Sequence, residues 1–186
     1  MSKRDMKWET LESKYLIKRP WLTARRDKVK LPTGAVNNEY YVLEYPDWVN
    51  VIAITKEGKF VFVRQYRYAL DCTSYEICAG VMEKDEQPLE AIQRELQEET
   101  GYAGGEWKEW MNISANASAN TNLTHCFLAI GVEKISGQHL DATEDIEVCL
   151  FSKEEVLQML KNDEIKQALM AAPLWRYFAE NKHFHQ

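Results

Sequence analysis

The sequence predicts a mixed α+β fold, and three features carry the prediction. The first third is rich in β-branched and aromatic residues cut by turn signals, a short bounded helix follows Pro88, and strand-like runs return before two closing helical segments. The chain of 186 residues is long enough for one domain with a sizeable core and a small appended element. Residues 8–17 alternate weakly, and 21–31 run into a Pro32-Thr33-Gly34 turn that returns the chain through 38–45. Residues 49–55 and 59–66 flank Lys56-Glu57-Gly58, a hairpin signal, and 74–78 form a short strand that delivers the chain to Gly80.

Pro88 suits the first helical turn, where a missing N–H costs nothing, and Gly101 suits the position just past the end, where φ turns positive. Strands are expected near 106–113, 123–133 and 146–151, with a polar, Asn-rich loop over 114–122. Ser152 and Glu155 make a capping box for a helix through Leu160, and Asn162 or Asp163 can start another that Pro173 kinks or ends. Successive antiparallel strands before a mixed sheet, rather than strand-helix alternation, set this apart from a doubly wound fold.

Composition narrows the function. A formal net charge of -6 with no basic stripe argues against nucleic acid as a partner. Nothing near the N-terminus resembles a signal peptide, and no apolar run approaches membrane-spanning length, so a cytoplasmic protein without membrane contact is expected. Cys72, Cys78, Cys126 and Cys149 lack metal-knuckle spacing and read as reduced residues, mostly of the core. His125, His139, His183 and His185 show no ligand spacing, the last two reading as a frayed tail, and no nucleophilic triad is visible.

The chemistry is concentrated in the helix after Pro88. At roughly 100° per residue, Leu89, Ile92 and Leu96 share a stripe facing a core. Glu95 and Glu99 then lie one turn apart on the flank, at an exposed edge, with Glu98 beside them. Arg94 precedes Glu98 by one turn, so its guanidinium can hold that carboxylate. A carboxylate cluster on a rigid helix is a suitable half-site for a hard cation such as Mg²⁺, which completes its shell with waters and substrate phosphates.

The order of residues from Gly80 through Glu86, Arg94, Glu95, Leu96, Glu98, Glu99 and Gly101 resembles the signature of the Nudix hydrolases at each constrained position, with Tyr102 a less usual final residue. The resemblance implies an α/β/α sandwich over 47–186 and, for residues 1–46, the N-terminal antiparallel sheet with which the ADP-ribose pyrophosphatase branch forms homodimers. The run Arg64-Gln65-Tyr66-Arg67 resembles that branch's Arg-bearing strand, and Glu76-Ile77-Cys78-Ala79-Gly80 resembles its Glu-x-Pro-Ala-Gly segment, with Cys78 in the place of Pro. By resemblance, Arg67 holds substrate phosphate and Glu76 hydrogen-bonds the substrate. The backbone carbonyl of Ala79 joins Glu95, Glu98 and Glu99 around Mg²⁺, with Mn²⁺ as the alternative metal. Catalysis is assigned to Glu98, Arg94 and a water-orienting carboxylate in the loop Asp141 to Glu147, with Glu144 first and Glu147 second.

Trp48, Trp21 and Tyr15 offer π-surface for a base, and Trp48 stands where this branch carries base-stacking aromatics. The expected activity is hydrolysis of the pyrophosphate of a nucleoside diphosphate sugar, ADP-ribose to AMP and ribose 5-phosphate. One departure keeps GDP-mannose or another sugar nucleotide as the alternative: residues 112–122 contain no Pro, which the branch carries beyond its signature. A non-catalytic, nucleotide-sensing Nudix domain is the rival from a different class, and such domains lose signature glutamates that are intact here.

Overall fold

The computed structural model describes residues 3–181, so His183 and His185 lie outside the described residues. The chain divides into two compact units: one runs to Pro46 and takes in Asn116–Asn122, and the other comprises Asp47–Ala115 and continues from Leu123.

The first unit is a three-stranded antiparallel meander of β1 (Glu9–Arg19), β2 (Leu22–Lys30) and β3 (Val36–Glu44). Gly34, at φ 87°, closes the turn between β2 and β3 by donating its N–H to Leu31 O at 2.9 Å. Asp27 is buried within this sheet and accepts from the Ser13 hydroxyl at 2.5 Å and from Arg25 Nε at 3.0 Å. Part of the Asn-rich loop belongs here: Leu43 N–H donates to Ala119 O at 2.8 Å and Thr121 N–H to Leu43 O at 3.0 Å, bracketing the edge of β3. An edge strand leaves N–H and C=O groups unpaired, and this short segment satisfies some of them.

The second unit is built on a mixed sheet. Its strands are β4 (Trp48–Thr55), β5 (Phe60–Arg67), β6 (Cys72–Ile77), β7 (Ala79–Val81), β8 (Tyr102–Ala103), β9 (Glu106–Ile113), β10 (Thr124–Lys134) and β11 (Glu147–Phe151). The main order is β11-β5-β4-β10-β8, with β6 on β5, β7 on β4 and β9 on β10. Only the β4 to β10 pairing is parallel among the described strand pairs of this sheet. A parallel pair needs a long crossover, and the segment from β5 to β9 provides it.

Successive side chains of a strand face opposite sides, and β4 uses both for burial. Val49, Val51 and Ala53 pack with Val61, Phe127 and Ala129 against α1 (Pro88–Thr100), through its Ala91, Ile92 and Leu96. Ile52 and Ile54 pack with Phe60, Phe62 and Leu128 against α2 (Lys153–Lys161) and α3 (Ala168–Glu180). This is an α/β/α sandwich, and β4 is its most buried strand because it has a layer on each side.

The boundaries depart from expectation in a few places. Leu89 does not join the core stripe: it is exposed in the first turn, and burial on this helix begins at Ala91 and Ile92. The last helix begins at Ala168 rather than at Asn162 or Asp163, because Asp163 adopts φ 55° and Glu164 N–H closes back on Met159 O, which ends α2 and leaves an extended link. Pro173 sits inside α3 instead of ending it. A 3₁₀ turn at Tyr68–Leu70 and the two- and three-residue strands β8 and β7 are too short to leave a periodic signal. The capping box is present, with Ser152 Oγ accepting from Glu155 N–H and the Glu155 carboxylate accepting from Ser152 N–H. The four cysteines are free thiols, Cys78 and Cys126 buried and the other two half-buried.

Gly101 ends α1 at φ 75°, and a Cβ there would lie 2.3 Å from Ser136 O. Gly101→Ala is therefore expected to lower the denaturation midpoint by more than about 1 kcal/mol equivalent. A variant with a wild-type midpoint would show that the backbone at Ser136 yields freely.

Candidate active site

Arg94 gathers the acidic residues of α1 and its preceding loop. Its Nε and Nη2 donate to the two Glu86 oxygens at 3.0 and 3.1 Å, and its Nη1 donates to Glu95 at 2.9 Å and Glu98 at 3.0 Å. The one-turn pairing of Arg94 with Glu98 is thus present, and the guanidinium also fixes the loop, because Glu86 in turn accepts from Glu83 N–H at 2.9 Å. Gly80 is needed beneath this cluster: a Cβ there would lie 2.0 Å from Cδ of Glu95.

Glu99 is different from its neighbours. The edge expected to be exposed is closed over it, leaving 6% of the residue exposed, and its Oε2 has no hydrogen-bond partner. Burial is the main reason its carboxyl is pushed up to about 7; the nearby Glu95 and Glu144 charges push the same way, while the Cys78 thiol and the Ala79 backbone pull it down. Glu95 is also raised, because its burial and the charges of Glu98 and Glu144 outweigh the pairing with Arg94.

The loop bearing Glu144 is placed by the end of α1. A helix leaves its last carbonyls without intrahelical donors. Here His139 N–H donates to Glu98 O at 2.8 Å, and the Gln138 amide donates to Glu99 O at 2.8 Å and to Ile146 O at 2.9 Å. Glu144 accepts from Asp141 N–H at 2.9 Å within that loop. Glu147 instead pairs with Arg64 at 2.9 Å across β11 and β5. Gln138 carries this arrangement and left no recognisable signal in the sequence.

A pocket of about 620 Å³ is lined by Trp48, Asn50, Arg67, Glu76, Ala79 and Gly80, among others. It brings together the three substrate-binding residues expected from sequence and Ala79 of β7. Arg67 and the buried Glu76 form a two-pronged pair, Nε to Oε1 at 2.8 Å and Nη2 to Oε2 at 2.5 Å. Both Glu76 oxygens therefore face Arg67. Pairing with Glu76 raises the Arg67 guanidinium pKa, and Glu99 adds to it, which places Arg67 in the field of the acidic helix. Tyr68, Leu70, Lys166 and Gln167 also line the pocket, and sequence reasoning did not find them. Trp21 and Tyr15 are not among its lining residues, and Tyr15 hydrogen-bonds Glu44 in the first unit.

Among the described residues, no three carboxylate, imidazole or thiol groups are already drawn together as a cation would draw them. Arg94 holds Glu95 and Glu98 instead. The donor set nonetheless fits a hard divalent ion: several carboxylates converge on one helix flank, and one buried oxygen of Glu99 lacks any partner.

An acidic helix whose charge reaches the Arg67 of a pocket on an α/β/α sandwich is the equipment of a metal-assisted pyrophosphohydrolase. Comparison with known proteins agrees. The NUDIX domain family matches residues 44–172, and the nucleoside diphosphate sugar hydrolase N-terminal domain matches residues 8–43. The chain belongs to the Nudix family and is a Nudix pyrophosphohydrolase, a family that uses a divalent metal. It is 36% identical over 141 residues to a methanol dehydrogenase activator of Bacillus methanolicus, covering 75% of each chain. It is 32% identical to an ADP-ribose pyrophosphatase of Bacillus subtilis, covering 78% of each, and 33% identical to a GDP-mannose pyrophosphatase of Escherichia coli, covering 60% of this chain and 62% of that one. A crystal structure of an ADP compounds hydrolase shares the fold, with a TM-score of 0.83 over 98% of this chain and 99% of that one, at 17% identity.

The raised Glu99 pKa makes a prediction for the metal-free protein. Between about 4.5 and about 7 the folded state keeps a proton that the unfolded chain has lost, so this group's contribution to stability falls as pH rises through that window. Glu99→Gln removes the loss. In a chelator at pH 8 the variant is expected to be more stable than wild type by on the order of 2–3 kcal/mol, with most of the difference gone at pH 5. Denaturation midpoints that differ equally at both pH values would rule out a buried charge at Glu99.

Proposed function

We propose that the chain hydrolyses the pyrophosphate of a nucleoside diphosphate sugar with Mg²⁺, or Mn²⁺ in its place, and that ADP-ribose is split into AMP and ribose 5-phosphate. The buried, half-unpartnered Glu99 carboxylate, whose charge is felt by Arg67 of the pocket wall, carries this reading, because it is a costly arrangement unless a cation completes it. Glu95, Glu98, Glu99 and the Ala79 carbonyl would hold the metal. When bound, it would offset charge on the phosphate oxygens and acidify water.

The chain's own residues divide the remaining work. Arg67 faces a phosphate of the substrate, and Glu76 acts by holding the guanidinium plane in place. Arg94 keeps Glu95 and Glu98 aligned on the helix flank. Glu144 orients the attacking water and takes its proton as the water oxygen bonds to one phosphorus and the bridging P–O bond breaks, the bridging oxygen leaving with the other phosphate. It is preferred over Glu147 because its charge is felt by both Glu95 and Glu99, whereas Glu147 is engaged by Arg64. Trp48, at the pocket wall, supplies a face for the base.

ADP-ribose is favoured by the relative of that name and by the Arg67 and Glu76 pair. The absence of Pro from residues 112–122, together with the relative named GDP-mannose pyrophosphatase, supports GDP-mannose as the second reading. In an assay of sugar nucleotides with Mg²⁺, AMP and ribose 5-phosphate are expected from ADP-ribose. Glu144→Gln should lower kcat by about 10²-fold or more with little change in KM, and Glu147→Gln should leave both near wild type. Brisk GDP-mannose cleavage without ADP-ribose cleavage would move the assignment to the second reading, and the reverse order of the two variants would move the water-orienting role to Glu147.

Residues 1–46 are proposed to mediate a homodimer. Their sheet exposes Trp8, Leu11, Tyr15, Leu16, Trp21 and Tyr41, an apolar surface unusual for a free meander. Light scattering is expected to give twice the chain mass, and Leu16→Glu with Tyr41→Glu to shift it toward one; a wild-type chain of single mass would refute the dimer.

A further inference from the structure

Two residues in the pocket have hydrogen-bonding capacity that no protein group uses. Asn50, on β4, is fully buried; its Nδ2 donates to Leu169 O at 2.9 Å, and its Oδ1 has no partner. Thr124, at the start of β10, is 2% exposed, and its Oγ1 has no partner. Both line the pocket. In the parallel pairing of the two strands Thr124 stands opposite Trp48 and Cys126 opposite Asn50, so the two orphans are diagonal neighbours on one face. On its other edge β4 pairs Asn50 with Ala79, whose carbonyl is proposed above to hold the metal.

From this arrangement we propose that Asn50 and Thr124 are specificity-determining residues that receive the vicinal hydroxyls of a ribose joined directly to the pyrophosphate. The reading rests on the reaction proposed above. An amide oxygen can only accept, which disfavours a phosphate or carboxylate at Asn50 and requires a donor. A hydroxyl both donates and accepts, so neighbouring hydroxyls satisfy Asn50 Oδ1 and Thr124 Oγ1 together. With Asn50 paired to Ala79 and Thr124 opposite Trp48, the two orphans stand between the proposed metal ligand and the face proposed for the base, where a ribose joined to phosphate belongs. ADP-ribose contains two such riboses, one on the nucleoside side and one distal to it. Sites built to bond a substrate hydroxyl discriminate strongly against analogues that lack it, because the buried groups are then left unpaired.

Thr124→Val is the informative substitution, being nearly isosteric and breaking no protein hydrogen bond. The experiment measures kcat and KM of wild type and variant on three substrates: ADP-ribose, the 2′,3′-dideoxyadenosine analogue of ADP-ribose, and adenosine diphosphate carrying a β-methyl ester in place of the distal ribose. A loss of at least about tenfold in kcat/KM on ADP-ribose is expected, and the loss should disappear on whichever analogue already lacks the recognised hydroxyls, which identifies the ribose. Asn50→Leu should show the same substrate pattern. An equal loss on all three substrates, or a more stable Thr124→Val enzyme with unchanged kinetics, would overturn the proposal and return the two residues to the core. Failure of wild type to cleave any of the three would instead overturn the reaction itself, and the proposal with it.

Discussion

Crowding of negative charge around the buried Glu99 carboxylate is the constraint that organises this molecule. Like charges drawn out of water are unfavourable, and the chain offsets them only in part, with one guanidinium shared among Glu86, Glu95 and Glu98. Everything nearby follows from keeping that arrangement rigid. Gly80 leaves room for the Glu95 side chain, the carbonyls at the end of α1 are taken by the loop after β10, and the helix is fastened to β4 by Ala91, Ile92 and Leu96. The site is crowded with like charge, which suits the divalent metal that the family uses.

Placement of the loop at Glu144 illustrates how neutral contacts can fix the position of a charge. A surface loop rich in Asp and Glu has no intrinsic reason to approach an acidic helix. Gln138 overcomes that, because one side-chain amide joins the last turn of α1 to Ile146 just before β11. Carboxylate proximity is imposed by neutral hydrogen bonds rather than by attraction. The same logic holds at Arg67, where Glu76 spends both its oxygens on orientation.

Much of this was legible in the sequence, for physical reasons that differ by residue. Pro88 and Gly101 mark α1 because each favours a backbone geometry that is local, and Arg94 with Glu98 follows from helical spacing. The burial of Glu99 was not legible, since it depends on neighbours brought in from elsewhere in the chain, Cys78 and Ala79 among them, and the exposure of Leu89 is likewise invisible to helical spacing. The start of α3 was misplaced because Asp163 in a left-handed conformation terminates one helix without starting the next. Lys166, Gln167, Asn50 and Thr124 come to the pocket from segments far apart in the chain, and no local pattern announces such convergence.

The parallel pairing of β4 with β10 has a kinetic consequence. These strands supply Trp48, Asn50 and Thr124 to one pocket, yet the chain between Thr55 and Thr124 must complete its excursion before they can meet. Contacts that close long loops form slowly, because their entropy is lost before any burial compensates for it. Helix α1 can therefore form early on local signals, with its carboxylates in place, while the wall that would select a sugar assembles only when the last large loop has closed. During synthesis, α1 emerges before β10, the strand that must return to pair with β4 and bring Thr124 beside Asn50.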